Sequence, residues 1–161
     1  MAHGVTESIR RAAVPINPAG RPFIAIFAVL TVFLFFAWEP LGFVGLVLTG
    51  WCTLFFRDPP RVTPLSEGIA VSPADGRVAQ VDHAVPPPEL GLGPVALPRV
   101  SVFMSVFDVH VNRTPLAGRV ERLEHRPGRF LNAEDPAAST ENERMSLLLD
   151  TEFGRLDGVQ I

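Results

Sequence analysis

Apolar positions crowd into one part of this chain and alternate with polar ones in the rest. Phe23 to Trp38 is a run of 16 residues without a charge, and Leu41 to Phe56 is a second run of 16. Glu39-Pro40 separates them. At a rise of 1.5 Å per residue each run makes a helix of about 24 Å, slightly short for a hydrocarbon core of about 30 Å. A secretory signal is a poor match, because its apolar core is about 7–15 residues long and this region is over twice that. One long tilted helix would place Glu39 mid-membrane and break at Pro40. A buried hairpin of a soluble protein would have to hide residues 23–56 inside a 161-residue chain. A helical membrane hairpin with Glu39-Pro40 as its turn meets none of these objections. Arg10, Arg11 and Arg21 precede it and Arg57 and Arg61 follow it, so the positive-inside rule places both ends in the cytoplasm. Trp38 and Trp51 are candidate interface aromatics.

Beyond Phe56 the pattern changes. Arg57-Asp58-Pro59-Pro60-Arg61 ends the helix and opens a linker. Ile69-Ala70-Val71 leads into Ser72-Pro73-Ala74-Asp75-Gly76, a turn signal. Arg77–Val81 alternates like a strand. Pro86–Pro98 reads as a loop, Arg99–Val111 as a long or bent strand, Pro115–Gly118 as a turn and Arg119–His125 as another strand. Arg126–Thr140 reads as loop and Met145–Thr151 as strand. Phe153-Gly154 turns, and Val159-Gln160-Ile161 begins one more strand. The expected fold class is α+β: an N-terminal segment 1–22, a membrane-anchoring hairpin 23–56, a linker 57–68 and a mainly β domain 69–161. Because the chain stops inside a strand-like pattern, it reads as a fragment with an incomplete C-terminus.

Composition narrows the chemistry. All 14 basic residues are Arg, so a Lys-bound pyridoxal phosphate and a Lys-bearing P-loop have no residue to form them. The single Cys, Cys52, permits neither an internal disulfide nor a multi-Cys zinc site. The net charge of −3 argues against nucleic acid as a partner. Residues 1–61 carry +2 and residues 62–161 carry −5, a split that suggests two differently solvated regions.

Asp75 and His110 are candidates for chemistry, although local pattern alone favours a structural role for each. Locally, Asp before Gly is a common turn pair, and a His among apolar residues is often structural. On a strand, Asp108 and His110 would share one face, with Phe107, Val109 and Val111 on the other. Asp82, His83, Asp108 and His110 fit no tight ligand spacing, so no metal is expected. Asn112-Arg113-Thr114 matches a glycosylation acceptor, which a cytoplasmic position would make accidental. Asn142-Glu143-Arg144 is a polar stretch before an apolar strand. His3, His83 and His125 have no evident role.

Five motifs then fall in order: Phe55-Phe56-Arg57-Asp58-Pro59-Pro60-Arg61 after the hairpin; Val71-Ser72-Pro73-Ala74-Asp75-Gly76-Arg77-Val78; Phe103–Arg113; Gly128-Arg129-Phe130-Leu131-Asn132-Ala133; and Glu141-Asn142-Glu143-Arg144. Over about residues 20–161 this series resembles the short bacterial and archaeal form of phosphatidylserine decarboxylase. The resemblance implies a lyase of phospholipid biosynthesis, made as a zymogen and held at the bacterial inner membrane with its catalytic domain facing the cytoplasm. It implies a covalent pyruvoyl cofactor, formed when a Ser attacks the preceding peptide carbonyl and the chain splits. The pyruvoyl carbonyl forms a Schiff base with the phosphatidylserine amine, CO2 leaves, and phosphatidylethanolamine results. By the same resemblance His110 is the general base for that Ser, and Asp75 orients it. Asn112, Arg113, Asn142 and Arg144 are candidates to contact substrate. A small α subunit carrying pyruvoyl and a homodimer partner are also implied.

The family's self-cleaving Ser follows a Gly, and none of the 13 glycines here precedes a Ser. The chain therefore resembles most of the larger β subunit, with the pyruvoyl-forming Ser beyond residue 161. A non-catalytic membrane-anchored β domain that binds lipid or a partner protein is the alternative. It explains the hairpin and the β region, but not the order of the motifs. A pyruvoyl decarboxylase for another amino-phospholipid is a further alternative.

Overall fold

The computed structural model describes residues 14–161 except 65, 67, 134 and 136. Arg10, Arg11 and His3 lie outside the described residues. The fold is α+β, with helices and two antiparallel sheets. It divides into two compact units that do not follow chain order. Pro73–Gly76 and Met104–Arg113 group with the N-terminal helices, while Arg77–Phe103 and Thr114–Ile161 make up most of the second unit.

In the first unit, helix α1 (Arg21–Ala37) and helix α2 (Glu39–Phe55) form the hairpin. The expected turn at Glu39-Pro40 falls one residue earlier. Trp38 alone is extended, at φ −167° and ψ 123°, and Glu39 and Pro40 start α2. Both suit that place: Pro lacks the N–H that a first turn leaves unbonded, and a carboxylate there faces the positive end of the helix dipole. The helices approach closely where α2 has no side chain. A Cβ on Gly42 would overlap the Phe35 ring, and one on Gly45 would come within 2.8 Å of Thr31 Oγ1. Close contact lets Thr31 Oγ1 and Thr49 Oγ1 hydrogen-bond across the pair at 2.9 Å, the small-residue packing used by helices in lipid. The hairpin's ends are tied by Asn17 N–H to Phe56 O at 2.9 Å and Asp58 N–H to Pro15 O at 2.7 Å. The helical stretch Pro18–Ala37, mean hydropathy 2.1, is long and apolar enough to cross a membrane. α2 is a shorter apolar helix.

In the second unit, β1 (Arg77–Ala84) pairs antiparallel with β2 (Leu97–Phe103). Asp82 lies opposite Arg99 and accepts two bonds from its guanidinium, at 2.9 and 2.7 Å. A three-stranded sheet runs in the order β3 (Arg119–Arg126), β4 (Arg144–Thr151), β5 (Gly154–Gln160). The expected strands at 77–81, 119–125 and 145–151 are all present, and β5 begins five residues before Val159. Gly154 turns β4 into β5 at φ +110°, a conformation open to Gly and strained for other residues. Two corrections follow. The region read as a strand to Val111 stops at Phe103, and 104–113 is a loop. Ser105 and Asp108 end the strand: Ser105 N–H donates to the Asp108 carboxylate at 2.7 Å, and Asp108 N–H returns to Ser105 O at 2.9 Å. These local bonds replace the ladder. The loop expected at 126–140 also contains a short helix, α3 (Ala138–Glu141).

The second unit's core gathers on β4, where Leu148, Leu149 and Ser146 are buried, together with Leu90 of the Pro88–Leu90 turn. That turn carries Glu89. Its carboxylate takes Arg144 Nε at 2.7 Å, Arg144 Nη2 at 3.0 Å and the Ser146 hydroxyl at 3.1 Å. The Arg144 guanidinium, foremost among these partners, holds the Glu89 carboxyl down at about 2, from an ordinary 4.5. A carboxylate whose folded pKa is depressed contributes stability above its unfolded pKa and loses it as pH falls through the folded one. The urea midpoint should therefore drop as pH goes from about 4.5 toward 2. A Glu89→Gln variant should start lower and lack this segment of the titration; an identical pH profile in both would refute the assignment.

Candidate active site

The first unit brings together Asp75 and His110 on segments with no regular structure. Two ties join them. Arg113 N–H donates to Pro73 O at 2.9 Å. Arg61 Nη2 donates both to Asp75 Oδ2 at 2.6 Å and to Val111 O at 3.0 Å. One guanidinium thus connects the Asp75 turn with the residue after His110. Arg61 Nε is buried and unbonded among the described residues.

His110 is fixed on two sides. Its ring stacks on Phe55, centroid to centroid 3.9 Å, with 20° between the planes. Its Nδ1 lies 3.0 Å from Asp108 O. A carbonyl oxygen only accepts, so Nδ1 carries a hydrogen, and in the neutral ring the lone pair sits on Nε2. The orienting acceptor is thus the Asp108 backbone carbonyl, whereas the Asp75 carboxylate is engaged by Arg61. The Asp108 side chain does separate work. The Ser105 backbone N–H, then the Ser105 hydroxyl, hold its carboxyl below the usual carboxylate range, with smaller help from His110 and Arg57.

The hairpin's last turn anchors the same loop. Trp51 Nε1 donates to Val106 O at 3.2 Å, and Arg57 Nη2 to Phe107 O at 2.7 Å. Arg113 pairs with Asp58, and its side chain remains about half exposed. Asn112 is exposed. Arg61, Arg57 and Phe55 were missed as site residues by sequence reasoning. The sequence marks the two arginines as membrane-flanking charges, as the opening of the linker and as part of the Phe55–Arg61 motif, and their spacing of four after an aromatic pair was the available signal of a site role.

Asn142 and Arg144 belong to the second unit and have partners of their own. Buried Asn142 clamps Leu131, accepting from its N–H at 2.7 Å and donating to its carbonyl at 2.9 Å. Gly128 passes so close to the backbone of 141–143 that a Cβ there would overlap it. Arg144 is 7% exposed and committed to Glu89. A cavity of about 430 Å³ in this unit is lined by Leu90, Arg119, Arg122 and Arg155 among others, and holds none of the sequence-predicted residues.

An imidazole with no partner at Nε2 among the described residues, on a loop tied through Arg61 to the Asp75 carboxylate, has the groups needed for proton transfer to or from a hydroxyl. The family profile described as phosphatidylserine decarboxylase matches residues 48–161. A phosphatidylserine decarboxylase proenzyme of Beijerinckia indica is 54% identical over 157 residues, covering 98% of this chain and 68% of that protein. One of Nitrobacter winogradskyi is 53% identical over 153 residues, covering 95% of this chain and 62% of that protein. The chain thus spans about two thirds of the length of these relatives, and it belongs to the phosphatidylserine decarboxylase family, a family of carboxy-lyases.

Proposed function

We propose that the protein carrying this chain converts phosphatidylserine to phosphatidylethanolamine with loss of CO2, after splitting itself at a Ser outside these 161 residues. The observation that carries this reading is His110, whose Nδ1–H is taken by a backbone carbonyl, the tautomer that in the neutral ring puts the lone pair on Nε2. The hairpin supports a membrane setting. Apart from Thr31, no residue of α1 is buried, and Phe33 and Phe36 are among its exposed side chains. An apolar surface of that kind suits lipid. Its tied ends favour a hairpin with both ends on one side, and Arg57 and Arg61 favour the cytoplasmic side of the inner membrane. A small α subunit and a homodimer complete the proposed assembly.

The chain's residues fit a pyruvoyl group. There is no Lys to hold pyridoxal phosphate, and the imidazole faces no competing donor at Nε2 among the described residues. Pyruvoyl supplies an electrophilic carbonyl that takes up the electron pair freed when CO2 departs. His110 Nε2 accepts the proton of the Ser hydroxyl during self-cleavage. Phe55 and Asp108 O keep the ring from turning. Asp75 acts through Arg61, holding 110–113 in register. Exposed Asn112 and half-exposed Arg113 contact the head group, while Asn142 and Arg144 serve the fold.

The direct test is the complete reading frame purified from membranes. Intact mass should show two chains, one beginning with pyruvoyl, and phosphatidylserine vesicles should yield phosphatidylethanolamine and CO2. A single chain forming no product would overturn the reading.

Arg61→Met should slow self-cleavage by up to about 10²-fold, the scale of a small misplacement at a reacting centre. Arg61→Lys should restore part of the rate, since its ammonium can still meet Asp75 but sits on a flexible stem without the planar guanidinium's fixed geometry. Cleavage time courses on gels would check both; equal rates in Met and Lys variants would deny Arg61 a positioning role.

A further inference from the structure

The loop that carries His110 ends in an apolar tip. Val106 is 54% exposed and Phe107 is 69% exposed. Single exposed apolar residues are ordinary, but this pair is held in an uncommon way. The Val106 carbonyl accepts from Trp51 and the Phe107 carbonyl from Arg57. The Phe107 amide reaches Ser105 Oγ at 3.4 Å, and the Asp108 amide bonds Ser105 O. The tip's backbone groups are thus largely satisfied within the protein, which is what a segment leaving water requires. Its two anchors are a Trp and an Arg at the end of an apolar helix. Such side chains mark the water–lipid boundary, the Trp ring at head-group level and the Arg by extending its guanidinium outward. Whatever depth they occupy, the tip shares it.

We infer that Val106 and Phe107 insert into the head-group and upper acyl region of the bilayer, as a third contact beside the two hairpin helices. The inference rests on the membrane reading of the hairpin. It adds that the loop itself reads the lipid surface, so the depth of the tip sets the depth of His110 three residues on. Continuity with the hairpin's end favours lipid over a protein cover.

The test is depth-dependent quenching of the complete protein in liposomes. An environment-sensitive fluorophore is attached at Phe107→Cys in a Cys52→Ala background, with Val106→Cys as a second position and Val47→Cys, exposed on α2, as the hairpin reference. Spin-labelled lipids with the quencher near the head group should quench 106 and 107 strongly, and deep-labelled lipids should quench them less. Quenching at 47 with none at 106 or 107 would overturn the inference and leave the hairpin reading intact. So would labels at 106 and 107 shielded from both lipid and aqueous iodide, which would mean another protein segment covers them. No lipid quenching at any of the three positions would overturn the hairpin reading and this inference with it.

Discussion

His110→Ala in the complete protein should leave the chain uncleaved over the time in which the parent processes fully. A positioned general base contributes about 10²–10⁴ in rate, and nothing else in the first unit offers a neutral lone pair at that place among the described residues. Asp75 is ion-paired with Arg61, and the Asp108 carboxylate is bonded to Ser105. The informative companion is Asp108→Asn. If the orienting group is the backbone carbonyl, this variant keeps the Nδ1–H bond and should process at a rate close to the parent, with a modest loss of loop stability. If the carboxylate mattered, it should fail like His110→Ala. Densitometry of the two chains over time reads both. Full cleavage of His110→Ala at the parental rate would remove His110 from the mechanism.

The contrast between His110 and Asp75 shows where reading a sequence stops. The hairpin was legible because two uncharged runs of 16 residues leave few alternatives. Its turn was misplaced by one residue, because Glu39-Pro40 serves equally as a loop and as a helix start. Strands β1, β3 and β4 were legible from alternation and flanking turns. The 104–113 loop was not: Val and Phe spacing suggests a strand, and only the Ser105–Asp108 pair overrides it. Asp75 and His110 could be named through an ordered set of motifs. Their partners could not, because Arg61 meets Asp75 across 14 residues and reaches Val111 across 50. No local pattern encodes such distances. Arg144 and Glu89, 55 residues apart, are the same case.

That pair gives the second large effect. Arg144→Met should lower unfolding stability by about 3 kcal/mol, near the lower end for breaking a buried ion pair from one side. Arg144 is 7% exposed and the Glu89 side chain 17%, so the orphaned carboxylate has little water to turn to. Ser146 can supply one hydrogen bond, and Arg126 lies 3.9 Å away and is largely exposed. Neither replaces a two-pronged guanidinium. Removing both charges in Glu89→Leu/Arg144→Met should recover most of the loss, since an apolar pair of similar volume removes the uncompensated charge. Urea unfolding of the complete protein would compare parent, single and double variants. A double variant no better than the single would mean that packing, not charge, dominates. The same series separates a structural role from a substrate-binding one: a head-group ligand at Arg144 would raise KM and leave the urea midpoint in place, whereas the bonds to Glu89 and the burial require the midpoint to move first.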